Sequence, residues 1–223
     1  MQKEIHILRG GPGENYTGFR DRMLDYARHL AEETGSVRLK VTLTDRKPPA
    51  LSVIPFRRNR VAVLSVSDAG KGLRETIQGA EGYTGGYLVT EVVPVAYDKT
   101  WGDMLPTPGV CLLTLFHRKP GLERDQFISR WHDGHTPLSL RLHPLWNYNR
   151  NVVEEVITEG SDRYDGIVEE QFRKASDLLN PFRFFGPPFR VPVHMFEVYR
   201  DTRSFIDMKR IETYLATEYH IVS

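Results

Sequence analysis

The densest run of reactive side chains in this sequence is Arg130-Trp131-His132-Asp133-Gly134-His135-Thr136-Pro137. An imidazole titrates near neutral pH, so one group can both take and return a proton. His135 is the first candidate for that task and His132 the second. They stand three residues apart, on one side of a helix if the helix persists. Gly134 and Pro137 predict an end or a bend there, which would set His135 at a mouth. The bland alternative for each histidine is a surface position or a satisfied place in the core. A His-x-x-His metal pair is the remaining reading, and it lacks a third ligand at suitable spacing.

Further candidates lie on segments with strand periodicity. In Trp146-Asn147-Tyr148-Asn149-Arg150-Asn151, alternation places Trp146, Tyr148 and Arg150 on one face. Tyr148 suits stabilisation of a developing oxyanion, and Arg150 suits a carboxylate. Arg150 has a structural alternative, an ion pair with Asp165 or Glu169. Trp131 would wall a pocket. His117 ends one strand beside Arg118-Lys119, and His6 is interior to another. Solvation and core hydrogen bonding are their plain readings. His194 and Tyr199 fall on alternate faces of a strand read over Val191 to Tyr199. Phe182, Phe184, Phe185, Phe189 and Phe196 suggest either a lid over an apolar ligand or a loop packed on the edge of the fold.

Composition removes several classes. A formal net charge of +1 over 223 residues leaves no footprint for nucleic acid or an anionic membrane. The single cysteine, Cys111, excludes an internal disulfide and a Cys-rich metal site. Its apolar neighbours predict a buried thiol. Gly10-Gly11-Pro12-Gly13 lacks the spacing of a dinucleotide fingerprint, and there is no Walker sequence or Gly-x-Ser-x-Gly elbow. No apolar run reaches about 18 residues and no leader is visible, so the expected address is cytoplasmic.

The elements that must position these residues come in two similar sets. Sliding the chain along itself brings Pro12-Gly13 onto Pro120-Gly121, Phe19 onto Phe127, and Leu30 onto Leu138. At the same offset the run Val37 to Leu43 falls on Leu145 to Asn151 without a gap. Each set reads βαββαβ. In the first, strands are expected at Glu4–Arg9, Val37–Leu43, Arg60–Ser67 and Tyr87–Val95. In the second they are expected at Val110–His117, Trp146–Val156, Tyr164–Phe172 and Val191–Tyr199, with an added helix over Thr202–Tyr219. The expected fold class is α+β: two tandem βαββαβ units whose antiparallel sheets pair, bare face to bare face, into a pseudo-dimeric α/β barrel. The units are expected at 1–100 and 109–223, the second with a C-terminal helical extension. Where the first has Met23, Leu24 and Ala27, the second has Trp131, His132 and His135, so the pocket is expected in the second only.

Four motifs occur in order in the second unit. They are Phe116-His117-Arg118-Lys119-Pro120-Gly121, Trp131 to Leu138, Tyr148-Asn149-Arg150-Asn151, and Tyr164-Asp165-Gly166-Ile167-Val168-Glu169. With Phe127 they resemble EthD-type proteins of the dimeric α/β-barrel, ferredoxin-like superfamily, over Leu113 to Phe172. The resemblance implies a pocket between sheet and helices, with His135 as the motif histidine and Tyr148 and Asp165 at strand positions. It also implies a choice of chemistries. The first expectation is a cofactor-independent lyase or isomerase acting on a small apolar carbonyl, phenolic or lactone compound. His135, His132 and Tyr148 would be catalytic; Trp131, Arg150, Asp165, His117 and His6 would bind substrate. The alternatives are a monooxygenase, cofactor-free or haem-dependent, and a non-catalytic scaffold. The expected partner is a small apolar or aromatic molecule, with no nucleic acid and no membrane. The chain would be a monomer with an internal pseudo-dimer, or a homodimer.

Overall fold

The computed structural model describes residues 3–34, 38–67 and 71–223. The first half contains β1 (Lys3–Arg9), α1 (Tyr16–Thr34), β2 (Leu39–Leu43), β3 (Val61–Ser67), α2 (Lys71–Gln78) and β4 (Tyr83–Val95). The second contains β5 (Val110–Phe116), α3 (Arg124–Ser129), a π-helical turn (Arg130–His135), α4 (Thr136–Leu142), β6 (Asn147–Val156) and β7 (Gly166–Phe172). It continues with α5 (Ala175–Leu179), α6 (Pro181–Phe184), α7 (Val191–Phe205) and β8 (Glu212–Val222).

The strands close into one antiparallel barrel in the order β1–β3–β2–β8–β5–β7–β6–β4. Each half contributes four neighbours in the βαββαβ order, and the halves join where β2 meets β8 and where β4 meets β6. Strands buried on both faces lose their polar alternation. One alternate set of their residues, Ile5, Ile7, Val63, Cys111, Leu113, Leu115 and Ala216 among them, meets as one cluster inside the barrel. Cys111 is fully buried there, as its neighbours predict. The other alternate set faces the helices. In the first half Phe19, Met23, Ala27 and Leu30 of α1 pack directly on Val41, Leu43, Ala62 and Leu64.

Charges bridge the seam within the barrel. Lys40 on β2 lies 2.9 Å from Glu169 on β7 and 2.8 Å from Glu218 on β8. Burial works against all three charges, yet the pairing holds Lys40 well above its ordinary pKa and Glu218 well below. Lys3 on β1 reaches Asn151 on β6 at 2.8 Å across the half-to-half boundary.

The last two elements correct the sequence reading. Val191–Phe205 is a helix and Glu212–Val222 is the strand that completes the barrel, so the expected C-terminal helical extension is absent. Pro192 suits the first turn of a helix, and Val191, Met195, Val198, Thr202 and Phe205 recur at helical spacing. The inserted α6 and α7 displace β8 from the offset that governs the rest of the repeat. β8 still keeps its partner: Tyr214 stands opposite Leu113 as Tyr87 stands opposite Ile5.

Candidate active site

The two halves differ in how their helices meet the sheet. Pro137 has no N–H to give to the preceding turn, so the helical ladder must change register near it. The Thr136 N–H instead bonds the Trp131 carbonyl, the wider step of a π-turn. Thr136 Oγ1 donates to the same carbonyl at 3.0 Å and accepts from Arg150 Nη1 at 2.6 Å. Trp131 settles against Phe116 and Phe127, with ring centroids 5.0 and 5.5 Å away. Gly166 in β7 makes room for it, since a Cβ there would come within 2.8 Å of the Trp131 ring.

Beyond this plug the helices stand off the sheet and leave a cavity of about 400 Å³. Its floor is Leu112, Thr114, Tyr148, Val168, Glu170 and Thr213. Trp131, His135 and Ser139 form one wall, and Met195, Val198, Tyr199, Thr202 and Phe205 of α7 form another. The first half supplies a third side, Val53-Ile54-Pro55. Thr213 pins that loop by donating Oγ1 to Pro55 O at 2.9 Å and accepting the Arg57 N–H at 2.8 Å.

Glu170 is the exceptional group in this apolar space. In the sheet it stands between Leu112 on β5 and Tyr148 on β6. It is 9 % exposed, and among the described residues no hydrogen bond or ion pair reaches its carboxyl. Burial pushes its pKa up to about 7. Tyr148 is buried beside it; that burial, reinforced by the Glu170 charge, pushes the phenol well above its ordinary range, against the pull of hydrogen bonding to Trp131 and Thr136.

His135 is tied on both sides. Its Nδ1 lies 2.6 Å from Asp201 Oδ2 on α7 and its Nε2 lies 3.1 Å from Ser139 Oγ. A carboxylate only accepts, so Nδ1 carries a proton, and in the neutral imidazole the Nε2 lone pair then accepts from the serine hydroxyl. His143 also lines the cavity. It stacks on Phe184 with centroids 3.9 Å apart, and its Nδ1 donates to the Phe184 carbonyl at 3.0 Å. Burial lowers its pKa to about 4, so it is neutral at physiological pH.

The fold thus brings together His135, Tyr148 and Trp131 of the expected set, and not the others. His132 packs on Trp131, 5.3 Å between centroids, outside the cavity lining; burial and Arg150 lower its pKa. Arg150 turns to Thr136 rather than to Asp165 or Glu169. Asp165 accepts the Arg118 N–H at 2.9 Å and lies 3.4 Å from Arg118 Nε. His117 is buried against Tyr164, 5.0 Å away, where burial lowers its pKa. His6 is fully buried in the first half, 3.2 Å from Glu4. Trp146 joins Tyr97 and Trp101 in an aromatic cluster elsewhere. Tyr199 lines the cavity from a helix while His194 bonds Phe185 O. Of the late phenylalanines, Phe184 and Phe185 line the cavity and Phe182, Phe189 and Phe196 are exposed.

Sequence reasoning missed Glu170, Ser139 and Asp201. Glu170 lies in a strand without polar alternation, so nothing in the pattern marks its face. Asp201 was hidden by the misassigned helix.

A haem does not fit these residues. Both nitrogens of His135 are engaged, His143 is stacked face to face on Phe184, and among the described residues no Lys or Arg lines the cavity to meet two propionates. Among the described residues no cluster of three metal-ligating side chains occurs. No described helix is long and apolar enough to cross a membrane.

Comparison with known proteins places this geometry. The EthD domain model matches residues 119–188. The matched segment holds Trp131, His135, Ser139, Tyr148 and Glu170, whereas Asp201 lies beyond it. No curated protein sequence matches the chain. Among solved structures, an anthrone oxidase-like protein superposes with a TM-score of 0.58 at 11% identity, covering 100% of this chain and 91% of that one. A candidate monooxygenase from Fusobacterium nucleatum superposes at 0.53 and 10% identity, covering 99% and 92%. At such identities the likeness is one of fold, the α/β barrel.

Proposed function

We propose that this protein is a cofactor-independent oxygenase that deprotonates a small, mostly apolar aromatic carbon acid or phenol. The observation that carries this reading is Glu170, an unpaired carboxyl with a pKa near 7 on the floor of an apolar cavity. A base poised at the working pH combines a useful ionised fraction with real basicity. The Glu170 carboxylate takes the proton from an activated C–H. Charge then develops on the conjugated oxygen, and the Tyr148 hydroxyl donates to it. His135, oriented by Asp201, holds or returns a proton at the second oxygen of the substrate. Trp131 and Phe205 give the ring system flat apolar walls.

An electron-rich carbanion or phenolate of this kind reacts with dioxygen itself. For an anthrone-type methylene the balance closes: one oxygen atom becomes the new carbonyl and the other leaves as water with both methylene hydrogens. The names of the two structural neighbours favour this outcome over the lyase or isomerase chemistry first expected, which would use the same proton abstraction. The test is oxygen uptake with a panel of anthrones, naphthols and hydroquinones. Uptake that depends on protein and is abolished by Glu170→Gln supports the oxygenase. Turnover that proceeds equally without oxygen would return the assignment to elimination or isomerisation.

A further inference from the structure

We propose that Asp201, His135 and Ser139 form a nucleophilic triad that gives the same cavity a second activity, acyl transfer from small aryl esters or lactones. The proposal uses the cavity but does not rest on the oxygenase reading, because neither Glu170 nor oxygen takes part in it.

Three observations carry it. The hydrogen bonds run in one line, Asp201 Oδ2 to His135 Nδ1 at 2.6 Å and His135 Nε2 to Ser139 Oγ at 3.1 Å. A triad is recognised by such geometry and roles rather than by a sequence elbow. Ser139 lies within a helix, where a serine hydroxyl ordinarily bonds the carbonyl one turn back. Here it addresses the imidazole instead, and it lines the cavity. Finally, the acid comes from α7, an insertion with no counterpart in the first half, and His135 is the last residue of the π-turn. In the first half the matching residue is Ala27, packed in the hydrophobic core.

The step closes chemically. Ser139 Oγ attacks the ester carbonyl while its proton passes to His135 Nε2, and Asp201 holds the imidazolium. The carbonyl oxygen of the tetrahedral intermediate takes the negative charge, with the Tyr148 hydroxyl as donor. The C–O bond to the phenol then breaks, and His135 returns the proton to the leaving oxygen. Water, deprotonated by His135, cleaves the acyl-serine to acid and free Ser139. An aryl group fits the apolar walls, and a lactone supplies acyl and leaving group in one ring.

The probe is phenylmethanesulfonyl fluoride on the full chain, read by intact mass and peptide mapping, beside initial rates with 4-nitrophenyl acetate. The expected result is one phenylmethanesulfonyl group on Ser139, with loss of fluoride. The adduct should be absent in Ser139→Ala and form at least about 100-fold more slowly in Asp201→Asn, which disturbs the histidine tautomer. An unmodified Ser139, or an adduct confined to another residue, overturns the proposal. The wild-type map decides the matter even if a variant folds poorly.

Discussion

Glu170 shapes both the chemistry and the stability of this protein. Its carboxyl has a pKa of about 7 in the fold and about 4.5 when exposed. Between those values the folded chain holds a proton that the unfolded chain has lost. Stability therefore falls as pH rises from about 4.5 through 7, and stays lower above it. The penalty amounts to about 3 kcal/mol at pH 8 as an order of magnitude. Glu170→Gln should recover most of that at pH 8 and little at pH 5, as read from urea midpoints at the two values. A variant no more stable at pH 8 than the wild type would mean that the carboxyl is solvated. The same substitution should lower turnover by about 100-fold or more, the usual contribution of a positioned base. Tyr148→Phe removes the oxyanion donor and should reduce kcat by about 100-fold with little change in KM, checked by steady-state rates.

At the scale of elements, the site depends on a helix that is locally irregular and on a strand that yields to it. Gly166 admits Trp131 and Phe116 over β7. Gly166→Ala should destabilise the fold by about 1–3 kcal/mol through overpacking, measured by denaturant unfolding. An unchanged midpoint would show that the rings can move aside. This scale also shows how far the sequence could be read. The repeat located the first seven strands, because each keeps its hydrophobic period and its turn residues. Gly134 and Pro137, read as an end or a bend, fall instead on a π-turn that runs on into α4. The repeat failed after β7, where α6 and α7 are inserted and counting from the first half no longer holds. Val191 to Tyr199 alternates well enough to resemble a strand, and only the longer spacing through Phe205 reveals a helix. His135, Tyr148 and Trp131 were legible as a site because they replace apolar residues or stand on alternating faces. Glu170 was not, because β7 is buried on both faces and its two glutamates point oppositely, one into the barrel with Lys40 and one into the cavity.

At the scale of the whole molecule, one chain encloses a barrel by pairing its halves edge to edge and fixes the seam with buried charge. Removing one member of such a group leaves the others uncompensated. Lys40→Met should cost about 3–5 kcal/mol near neutral pH and less in acid, because Glu218, which Lys40 holds below the ordinary carboxylate range, takes up a proton more readily in the variant. Urea unfolding at neutral and acid pH checks it. In the first half α1 packs directly on its strands, yet that half is not idle. Its Val53-Ile54-Pro55 loop reaches over the second half and closes one side of the pocket.

The central claim is that the buried Glu170 carboxylate is the working base. The most direct measurement is kcat/KM against pH for wild type and Glu170→Gln, on whichever aromatic substrate shows oxygen uptake. A wild-type rate that rises with pH through a single break near 7, and a variant without that break, is the predicted result. A break that persists unchanged in the variant would contradict it and move the role of base to His135.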